Sequence, residues 1–438
     1  MGLRPTGGTS VQTTFAFGKT GLTLSLPGNF HYDTIESRSA APLADAAVAL
    51  AHALDHPIGC KPLIEMAAGK RTAAISVCDI TRPAPNSVTL PPLLERLHAA
   101  GIPVEGVTIL IATGLHRGAT DAEIRAILGP EIAARYRVVN HDAKNFADHQ
   151  PLGSTRRGTP VYIDRRFVEA DLHLTLGFIE QHLMLGFSGG RKLIAPGVAA
   201  QETIKVIHSP RFMREPMATE GSIEDNPLHA ELLEIAHMAR HDFMLDVTLT
   251  KEREISGIFA GDPVKAHAAG VAHLRSTSLA PVPEAADAVI TSAAGYPLDL
   301  TFYQCAKGIT AASHVVKPGG RILIVGECGE GVGSPEFAEK LRTYPGDQEY
   351  LDQLSGRAVV PDQWQLEKVA LVGLRNEIFF YTPGVTADQM GAFGSRHFDD
   401  AEAAVRALLE GLPANARVAL IPEGPYTFAR VVSELAAV

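Results

Sequence analysis

The segment VEGVTILIATGLHRG, residues 104–118, decides the fold. It opens as a run of branched aliphatic residues, passes into a small-residue loop carrying His116, and is followed by TDAEIRAILG with helical spacing. TAAISVCD (72–79) is the same kind of buried strand, halted at Asp79; ITRPAPN and an amphipathic helix over 90–101 (LPPLLERLHAAG) come next. YRVVNH (136–141) and ADLHLTLGFI (170–179) add further strands. Strands alternating with helices predict an α/β architecture with parallel or mixed sheets. Ligands of such sheets sit beyond the carboxyl ends of the strands. Asp79 to Arg82, Thr113 to His116 and Glu180 to Lys192 each follow directly on a predicted strand, which joins them into one candidate site.

The last of these stretches, GFIEQHLMLGFSGGRKLIAPG (177–197), gathers Glu180, His182, Arg191 and Lys192 around Gly186, Gly189 and Gly190. Glycines allow a sharp turn and close approach of backbone to a ligand, so Lys192 is expected to be presented rather than packed away. The loop has the look of an anion nest, but Leu193 stands where a phosphate-binding P-loop needs Ser or Thr. GECGEGVG (326–333) likewise lacks the dinucleotide-binding glycine spacing. His208 follows at the end of a short helix-like run, ETIKVIHSP. A lysine of depressed pKa is a nucleophile; a histidine is a metal ligand or an acid/base.

Each motif has a plainer reading. DITRP (79–83) could be a surface Asp–Arg pair, with Pro83 keeping the loop from becoming helix. His116 alone would more often be structural, and His173, inside an apolar strand, is expected to pack. Tyr303 and Lys307 in YQCAK share a helix face at i, i+4, which an ordinary amphipathic helix also does. Trp364, the one tryptophan, is either core or a flat wall for a cofactor ring. Phe178, Met184 and Leu298 suggest apolar room beside the site for a larger or less polar substrate.

The 438 residues include 39 Lys and Arg against 49 Asp and Glu, a formal charge of −10 that disfavours a nucleic-acid partner. Four cysteines without CxxC spacing argue against a zinc ribbon or disulfide framework and suggest a reducing, cytoplasmic setting. Neither a signal peptide nor a membrane span is expected.

Residues 11–40 read as two short strands and 41–55 as a helix. A polar, proline-containing linker over 275–285 precedes a second alternation: ADAVITS (286–292), RILIVGE (321–327), NEIFFYTP, DDAEAAVRALLEG and ARVALIP (416–422). The expected domains are therefore 1–278, with about 420–438 a candidate to return and complete it, and a smaller α/β domain over 285–419. The site is expected at their interface.

Taken in order, DITRP, ATGLHRG, GFIEQH, GFSGGRK with its following PG, His208, GYPLD with YQCAK, and DQWQ resemble the lactate racemase family over about residues 10–425. The resemblance implies a 2-hydroxy acid racemase or epimerase using a nickel-pincer nucleotide loaded by dedicated biosynthetic enzymes. It implies that Lys192 tethers that nucleotide, that His208 ligates nickel, and that His116 and His182 are the paired acid/base groups. Asp79, Gly189, Gly190, Tyr303 and Trp364 would contact the cofactor; Arg82, Gln304 and Lys307 would hold the substrate carboxylate. Gln181 departs from the family's Glu-Pro-His and suggests a less rigid loop. Two other classes stay open on the residues: a carrier holding the nucleotide without turnover, and a lysine Schiff-base enzyme using pyridoxal phosphate.

Overall fold

The computed structural model describes residues 10–82 and 84–433; Pro83 and the chain ends of the expected domains lie outside the described residues. The chain divides into two compact units. One comprises Ser39–His208 and Glu215–Ser278; the other comprises the chain through Arg38, Ser209–Arg214, and Leu279 onward.

The first unit is built on a six-stranded sheet in the order Ile255–Gly261, Phe243–Leu249, Leu172–Phe178, Ala73–Cys78, Val107–Ala112, Arg137–Asn140. All neighbours are parallel except Ile255–Gly261, which runs antiparallel to Phe243–Leu249. Ala73–Cys78 and Leu172–Phe178 are buried at every position, as strands covered on both faces must be. From Ala73–Cys78 the chain winds outward through 107–112 and 137–140. It then returns to the other side for 172–178 and 243–249, which makes the gap between the 73–78 and 172–178 strands a switch point. Ligands of open α/β sheets bind at such a gap, beyond the strands' carboxyl ends.

The helix expected over 90–101 begins earlier, at Asn86, and runs to Ala99, with Pro91 and Pro92 inside it. It buries Leu90, Leu93, Leu94 and Leu97 against the sheet. The helix after the His116 loop, Asp121–Leu128, is fixed at its start by a capping box in which Thr120 and Glu123 satisfy each other's backbone N–H. Residues 41–55 form a helix only from Ala46, where the Asp45 side chain caps Val48 N–H.

The second unit carries a five-stranded, all-parallel sheet in the order Glu377–Tyr381, Val316–Val325, Ala286–Ser292, Arg417–Ile421, His31–Thr34. Its switch point lies between 286–292 and 417–421. The expected domain limits therefore change. His31–Thr34 is a third N-terminal strand, and it pairs with 417–421 in this sheet rather than serving the first unit. The hairpin Val11–Phe15 with Leu22–Leu26 packs Phe15, Leu24 and Leu26 on the same core. The final described strand, Ala429–Val431, pairs with Ala280–Val282 of this unit, so the C-terminal segment does not return to complete the first. No helix among the described residues is long and apolar enough to cross a membrane.

Candidate active site

Asp79, His116 and Lys192 come together at the first unit's switch point. Asp79 leaves the 73–78 strand almost sealed from solvent, and its Oδ2 accepts the Nδ1–H of His116 at 2.7 Å. The Thr81 hydroxyl and backbone N–H both donate to Asp79 Oδ1. Burial pushes the Asp79 carboxyl up, but the His116 contact, the Thr81 hydroxyl and the Arg82 charge outweigh it and hold its pKa below the usual range. The acid of DITRP thus pairs with a histidine from the next loop. Because a carboxylate only accepts, Nδ1 of His116 carries the proton and the exposed ring presents the Nε2 lone pair. This is a base oriented by a buried carboxylate.

Lys192 lies in the short 3-10 turn Gly190–Leu193 that follows the 172–178 strand. The turn is pinned to the sheet where Ser76 Oγ donates to Leu193 O at 2.7 Å. It is tied to the His116 loop through Gly114 N–H, which donates to Gly197 O at 3.0 Å. Burial and then the Arg82 charge bring the Lys192 amine down to about 7, against the opposing pull of Glu180, Cys78 and Asp79. Much of it is therefore the neutral nucleophile near neutral pH. Burial, with the Asp246 and Asp79 charges, pushes the neighbouring Cys78 thiol up to about 12, so it stays protonated.

His208 caps the helix Gln201–Ile207, and its Nδ1 donates to Ile204 O at 2.8 Å. A carbonyl only accepts, so the lone pair is on Nε2, the arrangement of a metal-ligating imidazole whose second nitrogen is held by backbone. Burial lowers its pKa to about 4, which keeps the ring neutral; the Ile204 contact works against that shift and Lys192 adds to it. Among the described residues no three His, Cys, Asp or Glu side chains converge to hold a metal, so a metal on His208 would need further ligands from a bound group.

His182 sits in a two-residue ladder in which Gln181 pairs with Phe187 and His182 with Gly186. A regular hairpin therefore constrains this loop where the family's proline would have. The Nδ1 of His182 faces the N–H groups of Met184 and Leu185 at 3.4 Å each.

The glycines answer to the protein. A Cβ on Gly186 would stand 1.9 Å from Ser222 O, and one on Gly189 2.2 Å from Asp246 Oδ2. Gly190 N–H is already bound to Asp246 Oδ2 at 2.7 Å, so the loop is not an open anion nest. Phe178 and Met184 are buried, Phe178 in a cluster with Cys78, Leu193, Val247 and Ile255, which removes the reason to expect apolar room beside a substrate. His173 packs as expected, buried with Nδ1 on Asp242 Oδ2.

The remaining expected residues belong to the second unit. Tyr303 lies in a 3-10 turn, Phe302–Gln304, ahead of the helix Cys305–Ser313, so Tyr303 and Lys307 do not share one helix face. The turn follows the carboxyl end of the 286–292 strand. Gln365 Nε2 donates to Tyr303 O at 3.0 Å, and the ring meets Phe337 edge-on. Gln304 Oε1 is buried with no hydrogen-bond partner. Trp364 is nearly enclosed at the start of the helix Gln363–Gly373.

Sequence reasoning singled out Arg191 but missed the buried Asp246 and His267 that surround it under the Lys192 turn. The signal was there in FMLDVTL, an aspartate in the middle of an apolar strand. It also missed His141, whose Nε2 lies 2.9 Å from His149 Nε2 and whose carbonyl accepts the Thr113 hydroxyl.

These buried groups make stability depend on pH. Burial drives His141 down to about 3 and His267 well below 6.5. The unfolded chain takes protons below pH 6.5 that these two rings refuse, so their contribution is lost as pH falls. Burial raises Asp246 to about 7, and its contribution, complete at low pH, is lost as pH rises from 3.8. Between those limits the protons refused by the buried histidines outweigh the one held by Asp246, so net stability falls as pH falls. Calorimetry should show the Tm falling by a few degrees from pH 6.5 to 5.5; a Tm that rises would contradict these placements.

A doubly wound sheet whose switch point carries a buried amine and a carboxylate-oriented imidazole defines an α/β enzyme equipped for proton transfer. Comparison with known proteins supplies the family. Residues 17–221 match the lactate racemase N-terminal domain and residues 282–427 the lactate racemase C-terminal domain. The chain is 34% identical over 374 residues to the lactate racemase of Thermoanaerobacterium thermosaccharolyticum, spanning 84% of this chain and 87% of that protein. It is 35% identical over 338 residues to the lactate racemase of Lactiplantibacillus plantarum, spanning 76% and 79%. The solved lactate racemase apoprotein of T. thermosaccharolyticum superposes with a TM-score of 0.87 at 31% identity, over 96% of this chain and all of that one. A Thermotoga maritima structure shares the fold alone, with a TM-score of 0.67 at 17% identity over 90% of this chain and 99% of that one. The chain belongs to the lactate racemase family, a family of isomerases.

Proposed function

We propose that this chain racemises a 2-hydroxy acid, with lactate the first candidate, using a nickel-pincer nucleotide joined to Lys192 and ligated through His208. The observation that carries the proposal is the meeting of Asp79, His116 and Lys192 at one switch point, on three loops tied by the Asp79–His116 and Gly114–Gly197 hydrogen bonds. The side chains fit such a group. Lys192 is brought to about 7 and so can react as a free amine. His208 keeps a neutral ring with its Nδ1 occupied by backbone. When bound, the nucleotide would supply an acceptor that takes the α-hydrogen as hydride and returns it by way of a 2-keto acid.

The chain's own residues handle the proton and the carboxylate. His116 Nε2 takes the hydroxyl proton, and the imidazolium so formed is stabilised by the buried Asp79 carboxylate at its Nδ1–H. Two enantiomers that share carboxylate and α-hydrogen positions place their hydroxyls on opposite sides. A racemase therefore needs a second acid/base group, and His182 is assigned to it. Arg82 presents its guanidinium to a carboxylate, which it can grip bidentately. The family resemblance assigns Gln304, whose buried Oε1 has no hydrogen-bond partner among the described residues, and Lys307 to the substrate carboxylate, and Tyr303 and Trp364 to the nucleotide. Asp79 completes the nucleotide's surroundings beside Lys192, and the backbone of Gly189 and Gly190 shapes the turn behind it. The partners are then a small acid and the enzymes that load the nucleotide.

The proposal is tested by chiral chromatography of D- and L-lactate, and of larger 2-hydroxy acids, after incubation with loaded protein. Interconversion supports it, and loaded protein without turnover would mark a carrier. Asp79→Asn should leave the fold intact and lower kcat by about 10³-fold, because an amide can hold His116 in the wrong tautomer. An activity within twofold of the unsubstituted protein would remove Asp79 from the mechanism.

A further inference from the structure

The geometry points to Asp246 as a positioning residue for Lys192: a buried carboxylate that fixes, through Gly190 N–H, the turn from which the lysine is presented. This rests on the reading of Lys192 as the attachment point.

Asp246 lies in the middle of the Phe243–Leu249 strand with no solvent exposure, among residues that are otherwise apolar apart from Thr248. A charged residue in a fully buried strand costs stability unless its site uses it. Its Oδ2 accepts Gly190 N–H at 2.7 Å, and Gly190 is the first residue of the Lys192 turn. Leu193, the last residue of that turn, is held by Ser76 Oγ. The turn is thus pinned at both ends, with Lys192 between the pins.

The loop is shaped around this carboxylate. Gly189 has φ +85° and Gly190 φ +44°, conformations that favour glycine, and a Cβ on Gly189 would run into Asp246 Oδ2. Arg191, 2% exposed, donates to Leu185 O and Phe187 O and lies 2.7 Å from His267 Nε2. Burial lowers Arg191 to about 9, and Asp246 is the charge that opposes that shift. Among the described residues, Asp246 Oδ1 and Arg191 Nε are both buried without a hydrogen-bond partner. A carboxyl group suits the position because its oxygen accepts Gly190 N–H in either protonation state, and a leucine there would leave that N–H buried and unpaired.

The test reads the lysine directly and needs no nucleotide. Protein without the nucleotide is acylated with limiting acetic anhydride across pH 5 to 9, and each lysine is followed by peptide mass spectrometry. Lys192 should titrate near 7 in the unsubstituted protein. Asp246→Ala frees the turn and lets water reach the amine, so the Lys192 midpoint should rise by at least about one pH unit. That is roughly a tenfold slower acylation of Lys192 at pH 6, with the other lysines unchanged. Gly189→Ala, which pushes the loop off Asp246, should produce the same shift, and Asp246→Asn, which keeps an acceptor for Gly190 N–H, a smaller one. The fraction of chains that acquire the nucleotide during co-expression should fall in the same order. A lowered Tm with an unmoved Lys192 midpoint in Asp246→Ala would reduce Asp246 to a structural role and overturn the inference. Should Asp246→Ala fail to fold, an unmoved midpoint in Gly189→Ala overturns it equally. Unsubstituted protein that acquires no nucleotide at Lys192 would instead count against the proposed function, and the acylation profiles would still decide the role of Asp246.

Discussion

Lys192→Ala protein, expressed beside the enzymes that make the nucleotide, should carry no added mass and should racemise nothing above background. The expected loss is at least about 10⁶-fold, since the hydride chemistry belongs to the cofactor and the side chains alone cannot supply it. The substitution removes one amine from a turn pinned at Gly190 and Leu193, so the fold should survive. Removing a buried amine that titrates near 7 spares the folded chain a desolvated charge, and the Tm should hold or rise. Intact-mass spectrometry and circular dichroism check both halves. A retained adduct would place the attachment elsewhere.

His116→Ala is expected to lower kcat/KM by about 10²–10⁴-fold, the usual range for a positioned acid/base. Enantiomers of one acid have equal free energies, so kcat/KM must fall by the same factor in both directions. His182→Ala should do likewise, and the double variant should lose little beyond the worse single, as groups that act in one proton relay are not additive. Full activity in both single variants would remove the histidine pair from the reaction. Nucleotide loading and nickel content should be unchanged in each, because neither ring is assigned to attachment or to the metal.

Local pattern made the first unit readable. The segments 72–79, 104–118 and 170–179 each carry a continuous apolar run that stops at a polar loop, and each loop belongs to the candidate site. What local pattern lacks is which distant strands become neighbours. His31–Thr34 joins a partner almost 390 residues later, a pairing that depends on the whole second sheet and left the domain limits misplaced. The site was legible to the same degree. Asp79, His116, Lys192 and His208 could be singled out by position, but the Asp79–His116 bond needs two loops to meet. The glycines were read as space for a ligand, whereas Asp246 and Ser222 account for them, and neither is near in sequence. Tyr303 was given a helical position because Lys307 is four residues on, although the helix begins only at Cys305.

Racemisation of a single lactate enantiomer by loaded protein in heavy water tests the central claim most directly. The account predicts that both enantiomers appear while the α-carbon keeps its original hydrogen, because hydride returns without meeting solvent and only the hydroxyl proton passes through His116 and His182. Deuterium at the α-carbon, read by mass spectrometry of the separated enantiomers, would show that the histidines act on carbon and would contradict it.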